Sequence, residues 1–169
     1  MKVTVIIPNY QGKNYIRACL DSLRVQQGSC GAKDAAEAEN PAGEARFTVL
    51  VVDNGSTDGS LEIVRQEYPE VKVIALPENT GFCHAVNVGI QAADTPYVLL
   101  LNNDTMARPG FVEALCRRME SDDRIFSVSP MMLSMADDSR IDDAGDRYNA
   151  VGWAFARGKG EPAERYLKS

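Results

Sequence analysis

Four short apolar runs stand along the first 101 residues, and a polar cluster follows each of them. The runs cover residues 3–7, 47–52, 71–76 and 97–101. Short apolar runs rich in Val, Ile and Leu predict strands that are buried inside a sheet. Pro8 directly follows the first run, and we expect it to end that strand because proline cannot donate a hydrogen bond to a neighbouring strand.

Apolar residues recur at helical spacing between and after these runs. The helical segments cover residues 14–27, 61–68, 82–93 and 112–119. Strands that alternate with helices are typical of an α/β fold, so we expect a Rossmann-like arrangement in which helices flank a mostly parallel central sheet.

Three segments depart from this alternation. Residues 28–46 are rich in Gly, Ala, Glu and Asp, and we expect an exposed, flexible insertion because they could bury very little apolar surface. Residues 126–132 predict a fifth strand. After Ser134 the sequence becomes polar and contains several glycines, so no further core element is expected.

The polar clusters that end the strands point to a ligand site. They are Pro8-Asn9-Tyr10, Asp53-Asn54-Gly55, Asn79-Thr80-Gly81 and Asn102-Asn103-Asp104. Ligands of open parallel sheets bind outside the carboxyl ends of the strands, where these four clusters should meet. Three of these clusters also have a purely structural interpretation. The segment from Asn54 to Gly59 could only form turns, Asn79 and Gly81 could only connect a strand to a capped helix, and Asp104 could be a helix-capping or turn residue. Asp53 differs, because as the first polar residue after its strand it should lie at the edge of the sheet.

Composition and motifs exclude several classes of protein. The net charge is -6 and the pI is near 4.8, which disfavours a nucleic-acid-binding protein. The single histidine, His84, excludes a histidine-rich metal site. Neither a GxxxxGK phosphate loop nor a GxGxxG fingerprint is present, so a nucleotide held by side chains and a metal at the strand ends fits better than the common ATP or NAD sites.

Four linked motifs resemble the family-2 glycosyltransferases, which are inverting enzymes of the GT-A fold that use nucleotide-activated sugars. The motifs are VTVIIPNYQGKNYIRACLDSL, VLVVDNGSTDGSLEIV, NTGFCHAVNVGI and YVLLLNNDT, and the resemblance covers residues 1–132. Within that family, the chain looks most like the rhamnosyltransferase-like branch that acts on cell-surface polysaccharides. The resemblance implies a donor-binding domain over residues 1–133, with the insertion near 28–46, and the start of an incomplete acceptor-binding part over 134–169.

The resemblance also implies roles for individual residues. Pro8, Asn9 and Tyr10 correspond to the strand end that meets the nucleotide base, and Asp53 corresponds to the acid that recognises the base or ribose. The donor-binding residues expected in this way are Pro8, Asn9, Tyr10, Asp53, Asn54, Asn79, Gly81, His84, Asn87 and Asn102. The sequence leaves open whether His84 contacts phosphate or only begins a helix.

Asp104 corresponds to the last acid of the family's Asp-x-Asp motif, and the resemblance implies that it holds Mg²⁺ or Mn²⁺ on the donor diphosphate. Asn102 stands where the first acid of that motif is usual, so we expect weaker metal affinity than at a two-acid site. Inverting transfer also needs a general base, which the resemblance puts in a segment that follows Ser169. Asp142, Asp143 and Asp146 are more simply interpreted as a solvated acidic turn.

The implied partners are a UDP- or dTDP-sugar donor and a saccharide or lipid-linked acceptor. A homodimer is an additional hypothesis. Four cysteines without CxxC spacing favour a reducing cytoplasm, and an acceptor linked to lipid would bring the protein to the inner face of the membrane. The alternative functions are a non-catalytic or truncated module that binds a nucleotide-sugar and, less favoured because the Gly-rich basic loop is missing, a sugar nucleotidyltransferase.

Overall fold

The computed structural model describes residues 2–28 and 47–166. These residues form two compact units, Met1–Phe111 and Val112–Ser169, and each unit is described by itself. The predicted insertion over 28–46 lies outside the described residues, apart from Gly28 at the end of a helix. Among the described helices, none is both long and apolar enough to cross a bilayer.

The first unit is built on a four-stranded parallel sheet. Its strands are β1 (Val3–Asn9), β2 (Phe47–Asn54), β3 (Lys72–Leu76) and β4 (Tyr97–Leu100). Their order in the sheet is β3-β2-β1-β4, and every adjacent pair is parallel. The four strands predicted from the apolar runs are confirmed, and so is the α/β class.

Three helices connect these strands: α1 (Ile16–Gly28), α2 (Ser60–Glu67) and α3 (Phe82–Ala92). The chain adds β2 and then β3 on one side of β1, and it then returns across the sheet to add β4 on the other side of β1. Because such crossovers are right-handed, α1 and α2 lie on one face of the sheet and α3 lies on the other. In agreement, α1 packs against α2, whereas α3 packs against β1 and β2.

Strand β1 continues through Pro8, so the prediction that this proline ends the strand is wrong. Pro8 is in register with Val52, and Asn9 is in register with Asp53. On the other side, pairing with β4 ends where Ile6 meets Leu100, and the carbonyl of Ile6 accepts a hydrogen bond from the Leu101 N–H. Residues two apart on a parallel strand direct their backbone groups to the same neighbouring strand, so the backbone of Pro8, like that of Ile6, is directed toward β4. The N–H that Pro8 lacks is not needed, because β4 has already ended at this position.

The second unit contains one longer helix and short antiparallel strand pairs. The prediction of a strand over 126–132 is wrong: Phe126 is 94% exposed, and pairing begins only at Met132. Pro130 interrupts this segment because it has no N–H to donate. The expectation that no core element follows Ser134 is also wrong, since Ile141 is fully buried on a strand. The elements of this unit are α4 (Phe111–Glu120), β5 (Met132–Leu133), β6 (Ile141–Asp143), β7 (Asp146–Tyr148), β8 (Ala154–Ala156) and a 3₁₀ turn (Ala163–Arg165).

The contact between α3 and the sheet depends on a glycine. Ile6, Leu50, Val52 and Ala85 form a buried apolar cluster between them. A Cβ atom at Gly89 would lie 2.5 Å from Cγ2 of Ile6 and 3.2 Å from Cγ2 of Val52. Both neighbours are β-branched side chains that cannot easily move aside, so α3 approaches the sheet closely only because residue 89 has no side chain.

We expect Gly89→Ala to lower the free energy of unfolding by about 1–2 kcal/mol. Overpacking costs roughly 1–3 kcal/mol, and a cost of about 2–3 kcal/mol applies here because the new Cβ atom would lie 2.5 Å from Ile6. The better helix propensity of alanine offsets about 1 kcal/mol of this cost. Urea denaturation measures the change. Gln91→Ala, at an exposed position of the same helix, is the control and should be neutral or slightly stabilising. A Gly89→Ala protein as stable as this control would contradict the proposed packing.

Candidate functional site

The centre of the candidate site is a buried pair at the ends of β1 and β2. Because Asn9 and Asp53 are in register, their side chains lie on the same face of the sheet. Nδ2 of Asn9 donates to Oδ1 of Asp53 at 2.8 Å, and the Ser56 N–H donates to Oδ2 at 3.0 Å. Both residues are only 1% exposed. Each oxygen of the Asp53 carboxylate therefore accepts a hydrogen bond, and the carboxylate is a buried structural group at the ends of β1 and β2.

Asn9 also joins the end of β4 to this pair. Its Oδ1 accepts a hydrogen bond from Nδ2 of Asn103 at 2.8 Å, and its Nδ2 lies 2.9 Å from Oγ of Ser60. A Cβ atom at Gly12 would lie 2.1 Å from Oδ1 of Asn9 and 2.3 Å from Nδ2 of Asn103. Residue 12 must therefore be glycine for the Asn9–Asn103 hydrogen bond to form.

The loops that follow β1 and β2 hold each other through hydrogen bonds. Gln11 has a positive φ of 52°, and its side chain exchanges two hydrogen bonds with Thr57. The Gln11 N–H donates to Oγ of Ser56, and the Lys13 N–H donates to Oδ2 of Asp58 at 2.8 Å. These contacts fix the backbone that leads away from Tyr10, whose ring is about half exposed at 49%.

Asp58 is the acid that orders the start of α2. Its Oδ1 accepts hydrogen bonds from the N–H and the hydroxyl of Ser60, at 3.0 and 2.6 Å. Burial tends to raise the pKa of Asp58, but the hydrogen bonds from Ser60 and from the Lys13 N–H outweigh it and hold that pKa below its ordinary value. Asp58 is thus an ionised structural acid.

A second polar cluster lies on the opposite face of the sheet, before α3. The buried Asn54 donates from Nδ2 to Oδ1 of Asn79 at 2.9 Å and accepts from the Thr80 N–H at 2.9 Å. Oδ1 of Asn79 also accepts from the Gly81 N–H. This bond makes Asn79 a turn-forming residue, and the N-terminus of α3, with Gly81 as its cap, has no capping hydrogen bond from a side chain.

The loop after β4 presents Asp104 at the surface. Thr105 Oγ1 donates to the Asn102 carbonyl at 2.7 Å, and Sγ of Cys19 contacts the same carbonyl at 3.6 Å. Burial raises the pKa of Cys19 to about 12, so it stays a neutral thiol beneath the loop. The side chains of Asn102 and Asp104 are exposed.

The carboxylate of Asp104 fits a cation that is shared with a ligand. No group of three or more His, Cys, Asp or Glu residues that could hold a metal exists within residues 2–28 and 47–166. Mg²⁺ commonly takes only one or two protein carboxylates and completes its shell with phosphate and water oxygens. Asp104 offers one exposed carboxylate, and its loop is held in place by the hydrogen bond from Asn103 to Asn9.

The predicted site residues thus differ in exposure. Asn9, Asp53 and Asn54 are buried and Pro8 is partly buried, while the exposed residues are Tyr10, Asn79, Gly81, His84, Asn87, Asn102 and Asp104. Sequence reasoning missed Gln11, Ser56, Asp58 and Ser60 as members of the network, and it put Asn103 in one of the clusters without its bond to Asn9. The turn sequence NGSTDGS was the signal for the serines and Asp58, but nothing in the sequence paired Asn103 with Asn9.

Solved structures with a similar fold include two with bound donor sugars. S. aureus TarS 1-349 in complex with UDP-GlcNAc has 28% sequence identity and a TM-score of 0.54, over 69% of this chain and 30% of that one. The mannosyltransferase PcManGT from Pyrobaculum calidifontis, in complex with GDP-Man and Mn²⁺, has 25% identity and a TM-score of 0.55, over 73% of this chain and 33% of that one. The fold is the GT-A fold that the resemblance implied.

Relatives in sequence include two bacterial enzymes. The N-acetylglucosaminyl-diphospho-decaprenol L-rhamnosyltransferase of Mycobacterium tuberculosis is 31% identical over 102 residues, which are 54% of this chain and 33% of that protein. The teichoic acid poly(glycerol phosphate) polymerase of Staphylococcus epidermidis is 29% identical over 107 residues, which are 61% of this chain and 13% of that protein. The chain therefore spans at most a third of the length of either relative.

The sequence profile of one family covers nearly the whole chain. Its match runs from residue 4 to residue 157, through both the parallel sheet and the antiparallel strands of the second unit. The chain belongs to glycosyl transferase family 2.

Proposed function

We propose that this chain binds the nucleotide-diphosphate-sugar donor of an inverting glycosyltransferase, which transfers the sugar to a polysaccharide or lipid-linked saccharide acceptor with the help of a divalent cation. The observation that carries the proposal is the convergence of polar strand ends at the carboxyl edge of one parallel sheet, in a chain of this family. A UDP- or dTDP-sugar is the proposed donor, and the cytoplasmic side of the membrane is the proposed location.

Exposed residues around the buried network would contact the donor. The Tyr10 ring stands at the end of β1, where an aromatic face suits a nucleotide base. Asn79, Asn87 and Asn102 expose amides that can hydrogen-bond to the ribose, the sugar or the phosphates. The resemblance gives Asp53 a direct contact with the base or ribose. Its 1% exposure favours a supporting role, in which it holds Asn9 while the rim binds the ligand.

Asp104 would hold the cation, and Asn102 would position it or a bound water. A bound Mg²⁺ or Mn²⁺ supplies neutralisation of the negative charge that develops on the diphosphate when the sugar–phosphate bond breaks. The residues beneath the loop keep the Asp104 carboxylate at a constant position relative to the donor site, because Asn103 ties the loop to Asn9 at the end of β1.

The alternative function is a module that binds a nucleotide-sugar without transferring it. One observation favours this alternative. The acidic turn has structural roles, since Asp143 accepts from the Gly145 N–H at 2.8 Å and Asp142 pairs with Lys159 at 3.3 Å.

Asp104→Ala should remove the part of donor binding that depends on the cation. A panel of UDP- and dTDP-sugars is added at saturation with and without Mn²⁺ or Mg²⁺, and the melting temperature is followed. A ligand at about 100 times its Kd stabilises by about 2.7 kcal/mol, and the variant should lose most of the increment that the cation contributes. Asp94→Ala, an exposed acid before the opposite end of β4, is the matched control. The proposal fails if no sugar nucleotide raises the melting temperature of the unmodified chain.

Asn103→Ala should weaken both the fold and the cation-dependent binding. It leaves Oδ1 of the buried Asn9 without its donor, which costs about 1–3 kcal/mol of stability. Asn102→Ala changes an exposed neighbour and should leave the unfolding free energy within about 0.5 kcal/mol. Chemical denaturation and donor titration are measured on both variants. Equal stability of the two variants would contradict the role of Asn103.

Binding and turnover, measured on the same sample, separate the two functions. Donor binding by calorimetry is compared with release of the free nucleoside diphosphate, with and without a saccharide acceptor. A transferase releases diphosphate faster when the acceptor is present. Full binding with no release under either condition would identify the non-catalytic module.

A further inference from the structure

The loop that carries Asp104 is held by α1 as well as by β1. We define residues 102–107 as the Asp104 loop. On the β1 side, Nδ2 of Asn103 donates to Oδ1 of the buried Asn9 at 2.8 Å. This bond holds only the start of the loop, so the position of the Asp104 carboxylate also depends on what holds the other end.

Ser22 on α1 holds the far end of the Asp104 loop. Its Oγ accepts a hydrogen bond from the Ala107 N–H at 3.0 Å and donates one to the Cys19 carbonyl at 2.6 Å. Because the hydroxyl proton is used in the bond to Cys19, the oxygen is left as an acceptor for the loop. The Ser22 hydroxyl thus links the backbone of the loop directly to the backbone of the helix.

Cys19, which precedes Ser22 by about one helical turn, contacts the same loop at its start. Its Sγ lies 3.6 Å from the Asn102 carbonyl, which also accepts a hydrogen bond from Oγ1 of Thr105 at 2.7 Å. Residues three apart lie on the same side of a helix, so Cys19 and Ser22 present one face of α1 to the loop. A thiol is a weak hydrogen-bond donor, so Ser22 makes the stronger of the two contacts.

Helix α1 is a rigid support for this loop because its other face is packed in the core. Its buried apolar side chains include Ile16, Leu20 and Leu23. A functional side chain is held more precisely when a rigid element supports it than when only loops do. The Asp104 loop is fixed in this way near both of its ends, by Asn103 toward β1 and by Ser22 on α1.

We propose that Ser22 is a positioning residue of the cation site, which holds the Asp104 carboxylate in place for the divalent cation by fixing the Ala107 N–H. This proposal rests on the proposed function, because it gives Ser22 a role only if Asp104 binds a cation that the donor shares. Ser22 acts through the backbone of the loop and not by contact with the cation or the donor. Loss of its hydroxyl should therefore weaken only the donor binding that depends on the cation.

UDP and dTDP are the probes for this role, since each carries the diphosphate and neither has a sugar to transfer. Binding of each probe to the full chain is titrated by calorimetry with and without Mn²⁺. In Ser22→Ala, the Kd with Mn²⁺ should rise about tenfold, the lower end of the range for residues that orient a metal ligand, and the Kd without Mn²⁺ should be unchanged. Alanine favours helix, so α1 should be retained in this variant.

Ser22→Thr is the conservative variant and should restore binding with Mn²⁺. A threonine hydroxyl in a helix can bond to the carbonyl three residues earlier, as the Ser22 hydroxyl does. It can therefore accept from the Ala107 N–H in the same way. Recovery with threonine would show that the hydroxyl, rather than the size of the side chain, sets the position of the loop.

Thr95→Val is the matched control, because Thr95 precedes the opposite end of β4 and its hydroxyl makes comparable hydrogen bonds. Its Oγ1 donates to the Tyr97 carbonyl at 2.8 Å and lies 2.8 Å from Oγ1 of Thr4. Urea denaturation measures the free energy of unfolding of each variant. Thr95→Val should lose stability and keep the full tightening of probe binding by Mn²⁺.

Two results would overturn the role of Ser22 alone. The first is a Ser22→Ala protein that keeps the whole Mn²⁺ effect seen in the unmodified chain. The second is an equal loss of that effect in Ser22→Ala and Thr95→Val, because the loss would then follow from lower stability. If Mn²⁺ does not tighten the binding of either probe to the unmodified chain, the cation-dependent part of the proposed function fails, and the role of Ser22 fails with it.

Discussion

The buried amide of Asn9 is the contact on which the carboxyl edge of the sheet depends. It bonds to Asp53 at the end of β2, to Ser60 at the start of α2 and to Asn103 after β4. Because a buried amide that lacks its partners is costly, all of these segments must be in position at once. Gly12 is part of the same constraint, since any side chain there would enter the space that the Asn9–Asn103 bond occupies.

This network separates buried residues that bond to one another from the exposed residues around them. The residues closest to the sheet form hydrogen bonds with neighbouring protein groups. Asp53 accepts a hydrogen bond on each carboxylate oxygen, and Asn54 bonds to Asn79 and Thr80. The exposed side chains, such as Tyr10 and Asp104, lie on the loops that follow the strands, and the buried residues hold the backbones of these loops in place. A rigid inner layer lets an exposed carboxylate such as that of Asp104 keep a constant position.

The second unit is stabilised in a different way. Its strands are too short to bury a large core, and it depends on Ile141 and on turns that are closed by side chains such as Asn149. The family profile extends through this unit to residue 157, so the β7–β8 pair belongs to the family region of the chain.

The sequence by itself determined the alternation of strands and helices, the parallel sheet and the edge at which polar residues meet. These follow from periodicity and from rules of chain connection, which are local or nearly so. Only the tertiary structure decided that β1 continues through Pro8, because that depends on where β4 stops. It also decided that Asp53 is buried while Asp104 is exposed, and that Asn103 pairs with Asn9 across 94 residues of sequence. The failed strand over 126–132 has the same cause: an apolar run becomes a strand only where a partner offers hydrogen bonds, and partners are chosen by the whole fold.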